Sequence, residues 1–343
     1  MNVKRICVLD SMYTLLQYLL LSKEEDVAAT YFFFRNGVSE KIIQFFKPQC
    51  SCIRKSGSSI IKDLLYYYIT IPSKYPFLLK RNLEYWGVDN LGYEKFIIRK
   101  NKFNLLEDGL LSYNEIPFKW QKKRLIWLKE LLMGPLAGPR TFVGEEKNCI
   151  CRHLTGLSDS PILSDSKTKI DSLDSLWATS SQSKRNLINK IYGISESEIS
   201  NFRGYNKILF TQPLSEDGYI SEQEKIGLYR NIAKYANSSS KLLIKPHPRE
   251  KTDYSKQIDN VVVLNTKAPF ELLTLNGLHF DDVYTIFSTC ALNIPYNVNV
   301  HFFGSQIHPK LGTIFKDNHY GEIKVCSNKI CFMDINFEKL AGI

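Results

Sequence analysis

"KLLIKPHPRE", residues 241–250, carries three apolar residues, Leu242, Leu243 and Ile244, straight into Lys245, Pro246, His247 and Pro248. A short apolar run with so abrupt a stop reads as a buried strand of a parallel sheet. Proline fixes its own φ and restricts the residue before it, so His247 stands on stiff backbone just past a strand end. In open α/β sheets that end is where ligands are bound.

Outward from this stretch the pattern repeats. "NKILFTQ", "NVVVLN", "DDVYTIFS" and "NVNVHFFG" follow the same form in the second half of the chain, and "RICVLD", "VAATYFFFR" and "YEKFIIRK" in the first, with amphipathic segments between them. Strands alternating with helices predict parallel, doubly wound α/β sheets, and two such series predict two Rossmann-like domains. The 343 residues suit about two domains. The Ser-, Asp- and Lys-rich stretch from Thr155 to Asn186 is the least core-like, and the boundary is expected in or just after it, giving domains of 1–195 and 196–343.

A net charge of +10 points to an anionic partner. No nucleic-acid signature accompanies it, so a phosphorylated substrate or an anionic membrane surface is the better match. "KWQKKRLIWLKELLMG", residues 119–134, is a basic segment with tryptophans that suits peripheral contact with a bilayer, or else packs its apolar face on a sheet. The opening "MNVKRICVLDSMYTLLQYLLLS" reads as a strand and a helix rather than a signal peptide, and no apolar run reaches membrane-spanning length. A cytoplasmic location is expected, with reduced cysteines. The pairs Cys50/Cys52 and Cys149/Cys151 are spaced too closely for usual zinc ligation, so no metal is expected.

Several stretches carry chemistry. "FNLLEDGLLSY" ends a strand in Glu107-Asp108-Gly109, which places two carboxylates at a turn, either a plain polar turn or a general base. "FTQPLSEDGYISEQE" repeats the triplet at Glu216-Asp217-Gly218 ahead of a Ser221/Glu224 capping box, with Thr211 and Gln212 at the strand end as ligand contacts. His247 can donate a hydrogen bond or a proton to a phosphate oxygen. "VYTIFSTCALN" reads as a strand followed by a helix opening at Ser288 and Thr289, a place for phosphate. "KAPFELL" supplies Glu271, either a ribose-binding carboxylate or a helix cap.

In this order, Glu-Asp-Gly, a strand ending in His-Pro, Phe-Glu-x-Leu and Ser-Thr resemble the bacterial sialyltransferases of glycosyltransferase families 52, 80 and 38. "FTQPLSEDG", "IKPHPRE" and "LDSMYTLLQYLL" are most similar to family 52, the lipooligosaccharide sialyltransferase group. The resemblance covers most of the chain and is firmest over residues 205–305.

The resemblance implies a GT-B fold of two Rossmann-like domains facing across a cleft, with the last helix packed back on the first domain. It implies an inverting, metal-independent transfer of sialic acid from CMP-sialic acid to a terminal sugar such as galactose, on lipo-oligosaccharide or capsular polysaccharide. Asp108 would be the general base, supported by Glu107, and His247 the acid or hydrogen-bond donor at the departing phosphate. Ser288 and Thr289 would hold the phosphate, Glu271 the ribose, and Lys245 and Pro246 would line the nucleotide pocket. The competing readings are a GT-B hexosyltransferase using another nucleotide sugar and a non-catalytic carbohydrate-binding protein. The linkage, the choice between the two Glu-Asp-Gly triplets and the oligomeric state, a homodimer included, stay open at this stage.

Overall fold

The computed structural model describes the chain except for residues 1, 36, 54–61, 63–64, 89–94, 99–100, 116–129, 132–140, 158–159, 237–240, 316–328 and 337–343. The basic segment 119–134 therefore lies almost wholly outside the described residues, as does the end of the chain that was expected to pack back on the first domain. The chain divides into two units, Met1–Gly193 and Ile194–Ile343. Gly193, in the left-handed conformation (φ 67°), ends the helix Gln182–Tyr192 at this division.

In the first unit the strands are β1 (Arg5–Leu9), β2 (Thr30–Phe34), β3 (Cys50–Cys52), β4 (Glu84–Gly87), β5 (Phe103–Leu106), β6 (Cys149–Leu154) and β7 (Thr168–Ile170). They form a seven-stranded sheet in the order β3-β2-β1-β4-β5-β6-β7, and every neighbouring pair is parallel. Burial on both faces explains the apolar runs: Phe32, Phe33 and Phe34 are all fully buried, as are Ile6 through Leu9. Ser11 caps the helix Met12–Leu21, accepting from the Thr14 N–H, and so turns the chain immediately after β1.

The second unit holds β8 (Lys207–Phe210), β9 (Leu242–Lys245), β10 (Val261–Val263), β11 (Asp282–Thr285), β12 (Val298–Phe302) and β13 (Ile330–Phe332). Their order is β10-β9-β8-β11-β12-β13, again parallel throughout. The helix Glu222–Ala236 lays Leu228, Tyr229, Ile232, Ala233 and Ala236 on this sheet, and its start carries the Ser221/Glu224 capping box.

One expected strand is corrected. In "YEKFIIRK" the residues Lys95–Ile98 are helical, and the neighbouring strands are β4 and β5. A three-residue apolar run, Phe96 to Ile98, is too short for its period to distinguish helix from strand. Ile97 and Ile98 are buried in either form.

In both sheets the connections leave the central pair of strands in opposite directions, between β1 and β4 and between β8 and β11. That reversal opens a crevice at the carboxyl edge of each sheet. At the first one Gly87 sits at φ 152°, and a Cβ built there would lie 2.5 Å from the Val8 carbonyl oxygen. Gly87→Ala is expected to cost about 1–3 kcal/mol by forcing β4 off β1, seen as a lowered midpoint in urea unfolding.

Candidate active site

The carboxyl edge of the second sheet gathers most of the residues singled out above. Lys245 is the last residue of β9 and is buried, its Nζ 3.4 Å from the Thr266 carbonyl oxygen. Burial lowers its pKa, while Cys290 and Glu271 act in the opposite direction. Glu271 stands in the helix Phe270–Leu275 and is itself buried. Ser288 Oγ lies 2.8 Å from Cys290 Sγ. Burial and then the charge of Glu271 push the Cys290 thiol up to about 12, so it stays protonated. Lys245, Glu271, Ser288 and Cys290 thus share one electrostatic neighbourhood beside the β8/β11 reversal. Cys290 carries no motif in the sequence; only its position, two residues after Ser288, could have pointed to it.

Ser288 and Thr289 do follow β11, but they open a single 3-10 turn, Thr289–Leu292, rather than an α-helix. A macrodipole needs aligned turns, so any anion here is met by hydroxyl and local N–H groups and not by a helix end. Thr211, 2 % exposed, donates its hydroxyl to Glu250 Oε1 at 2.6 Å. Gln212 Oε1 is buried with no partner among the described residues, and an acceptor left so invites a ligand donor. Gln212 itself is held by its backbone N–H, which donates to the Tyr229 hydroxyl at 2.7 Å.

His247 follows β9 as "KPHP" suggested. Its Nδ1 accepts from the Arg249 N–H at 3.2 Å, which in the neutral ring puts the proton on Nε2. Burial first, then the Arg249 and Lys245 charges, lower its pKa to about 4 against the pull of Asp217 and Glu216. At neutral pH the imidazole is therefore an uncharged Nε2–H donor.

The second Glu-Asp-Gly is occupied. Asp217 grips the Arg249 guanidinium through both oxygens, at 2.5 and 3.0 Å. Glu216 takes two hydrogen bonds from the fully buried Lys225 ammonium (3.0 and 2.8 Å) and a third from the Lys251 N–H (2.8 Å). Burial would raise the Glu216 pKa, yet these donors hold it at about 2. The triplet 216–218 thus ties the loop after β8 to the loop that carries His247.

The first triplet is arranged differently. Glu107 is fully buried at the end of β5. Its carboxylate accepts from the hydroxyls of Tyr13 (2.7 Å), Tyr113 (2.5 Å) and Thr155 (2.9 and 3.0 Å) and from the Thr155 N–H (2.6 Å). Burial raises its pKa, and each of these donors opposes the rise. Its own N–H donates to Gln17 Oε1 at 2.8 Å. Asp108 is half-buried, its N–H donating to Ser112 Oγ at 2.8 Å, and Gly109 makes the turn at φ 60°. Glu107 faces inward into this cage, so Asp108 is the carboxylate of the pair that reaches the surface. Tyr13, Tyr113 and Thr155 had no local signal; they lie 94, 6 and 48 positions from Glu107. Among the described residues no group of three or more His, Cys, Asp or Glu is placed to hold a metal ion, and no helix is long and apolar enough to cross a membrane.

Two sheets of this order and parallel sense define a GT-B type α/β protein. The description of glycosyltransferase family 52 matches residues 78–311, and the chain belongs to that family. A protein of Haemophilus influenzae, described only as uncharacterized, is 37 % identical over 250 residues, 71 % of this chain and 77 % of that one. Among solved structures, a Photobacterium damselae sialyltransferase aligns over 96 % of this chain and 99 % of its own at a TM-score of 0.54 and 14 % identity. A Photobacterium 2,6-sialyltransferase, solved with CMP and lactose, aligns over 96 % and 78 % at 0.56 and 10 %. The Neisseria meningitidis UDP-GlcNAc 2-epimerase aligns over 95 % of each chain at 0.52 and 11 %. At these identities the likeness is one of fold.

Because the folded pKa of His247 lies below its unfolded value of 6.5, stability is full above pH 6.5 and is lost as pH falls from 6.5 toward 4. His247→Asn is expected to flatten that part of the profile, measured as the urea midpoint between pH 7 and 4.

Proposed function

We propose that this family 52 glycosyltransferase is an inverting sialyltransferase that uses CMP-sialic acid, with Asp108 as base and His247 at the leaving phosphate. The observation that carries the reading is the convergence of Lys245, Glu271 and Ser288 at the β8/β11 reversal with His247 beside them. It is a set suited to a nucleoside monophosphate: a cation and hydroxyl for the phosphate, a carboxylate for ribose hydroxyls, and a buried acceptor on Gln212 for a further donor group.

In this mechanism Asp108 takes the proton of the acceptor hydroxyl as its oxygen attacks the anomeric carbon of the donor. The bond from that carbon to the phosphate oxygen breaks through an oxocarbenium-like state, and CMP leaves. Developing charge on the phosphate oxygen is met by the His247 Nε2–H and by Lys245, preorganised donors that need no rearrangement as the reaction proceeds. The bound phosphate raises the pKa of His247 and so favours the imidazolium, the form of the ring that has a proton to give the leaving oxygen. Glu107, saturated by donors, acts on Asp108 by fixing the end of β5. Pro246 and Thr289 line the phosphate side. The mechanism assigns no step to a metal or other cofactor. The acceptor is a terminal sugar of a surface glycan such as lipo-oligosaccharide or capsule, reached from the cytoplasmic side, and the basic segment 119–134 provides peripheral contact with the anionic membrane.

Asp108→Asn and His247→Ala are each expected to lower kcat by about two orders of magnitude in a release assay that follows CMP, with turnover unchanged by EDTA. Turnover of UDP-hexoses but not CMP-sialic acid would make the chain a hexosyltransferase instead. Near-wild-type rates in both variants would refute the assignment of acid and base.

A further inference from the structure

Building on the reading of His247 as the group that meets the leaving phosphate, we propose that Glu250 is its positioning residue. The Glu250 side chain is fully buried, and its carboxylate accepts from the His247 N–H (2.8 Å), the Thr211 hydroxyl (2.6 Å) and the Tyr254 hydroxyl (2.5 Å). One anchor therefore holds the ends of β8 and β9 and the turn beyond them. The Lys225 ammonium stands 3.8 Å behind it, shared with Glu216 and Glu222.

A count of backbone donors shows how completely the loop is determined. Pro246 and Pro248 have no N–H to place. The remaining N–H groups from 247 to 251 all have partners: His247 to Glu250 Oε1, Arg249 to His247 Nδ1, Glu250 to the His247 carbonyl at 2.9 Å, and Lys251 to Glu216. Arg249 donates to the ring only while the turn is closed, and the turn is closed by the Glu250 side chain reaching back to His247. The Glu250 anchor thus keeps Nδ1 as acceptor and the proton on Nε2. The charged groups around the ring are Arg249 and Lys245 on its own segment and Asp217 and Glu216 on the loop after β8.

The test reads tautomer and kinetics separately, on full-length protein with 15N-labelled histidine and with His247→Asn to assign the signals. Wild type is expected to show the Nε2–H tautomer. Glu250→Ala is expected to mix the tautomers and to lower kcat by about 10–100-fold, the usual effect of removing an orienting partner, with the donor KM within a few-fold. Glu250→Gln keeps one acceptor and is expected to restore most of both. If the alanine variant fails to fold, Glu250→Asp keeps the charge facing Lys225 but shortens the reach, and is expected to move the signals in the same direction. An unaltered His247 tautomer and titration in the folded Ala or Asp variant would overturn the proposal whatever the rates do. A full rate in His247→Asn would instead overturn the assigned role of His247, while the tautomer result still decides what Glu250 does.

Discussion

A carboxylate taken out of water must recover its lost hydration from protein donors, or give up its charge. Glu107 and Glu250 each meet this demand by drawing donors from chain segments that are otherwise separate. Glu107 joins β5, the helix after β1 and the loop after β6; Glu250 joins β8, β9 and Tyr254. In each case the side chain given a role in the proposed mechanism, Asp108 or His247, stays half-buried on a backbone tied to the buried acid. A saturated, inward acid beside a half-buried polar group is a compact means of preorganisation, because the energy of one buried group orders a second.

The parallel sheets contribute the other half. Strand ends at a reversal of winding are the one place where loops from several strands meet without covering one another. Lys245, Glu271 and Ser288 come together at the carboxyl edge of the second sheet, although they come from separate stretches of the chain. Buried lysine adds a second layer: Lys225, with no exposed surface, is surrounded by Glu216, Glu222 and Glu250. Removing any one of these acids still leaves the ammonium paired.

Most of the fold and part of the site were legible in the sequence, and the division has a physical basis. Fully buried strands such as "TYFFF" and "KILF" announce themselves by composition, and Pro-His-Pro by stiffness. "CICRHL" and "EYWG" hide as strands because polar residues interrupt them, and those residues find partners only in the folded state: Arg152 on the Val143 carbonyl, Glu84 on Arg5. "YEKFIIRK" and the turn after Ser288 went to other secondary structures because elements of four residues span barely one helical turn, too few positions for a period to show. The two Glu-Asp-Gly triplets look alike as text. What separates them is the company each keeps in space, tyrosines and threonine around Glu107 but lysine and arginine around Glu216 and Asp217, and no local pattern encodes that.

The strand order has a consequence for how the second crevice comes into being. Parallel neighbours cannot be joined by a tight hairpin, so β8 meets β9 only after a helix has been made, and meets β11 only after two further crossovers. During synthesis one wall, with Thr211 and His247, is complete while the other, with Ser288 and Cys290, has yet to leave the ribosome. This crevice thus belongs to the late, long-range part of assembly, and a nascent chain halted before Asp282 would carry the histidine loop with nothing opposite it.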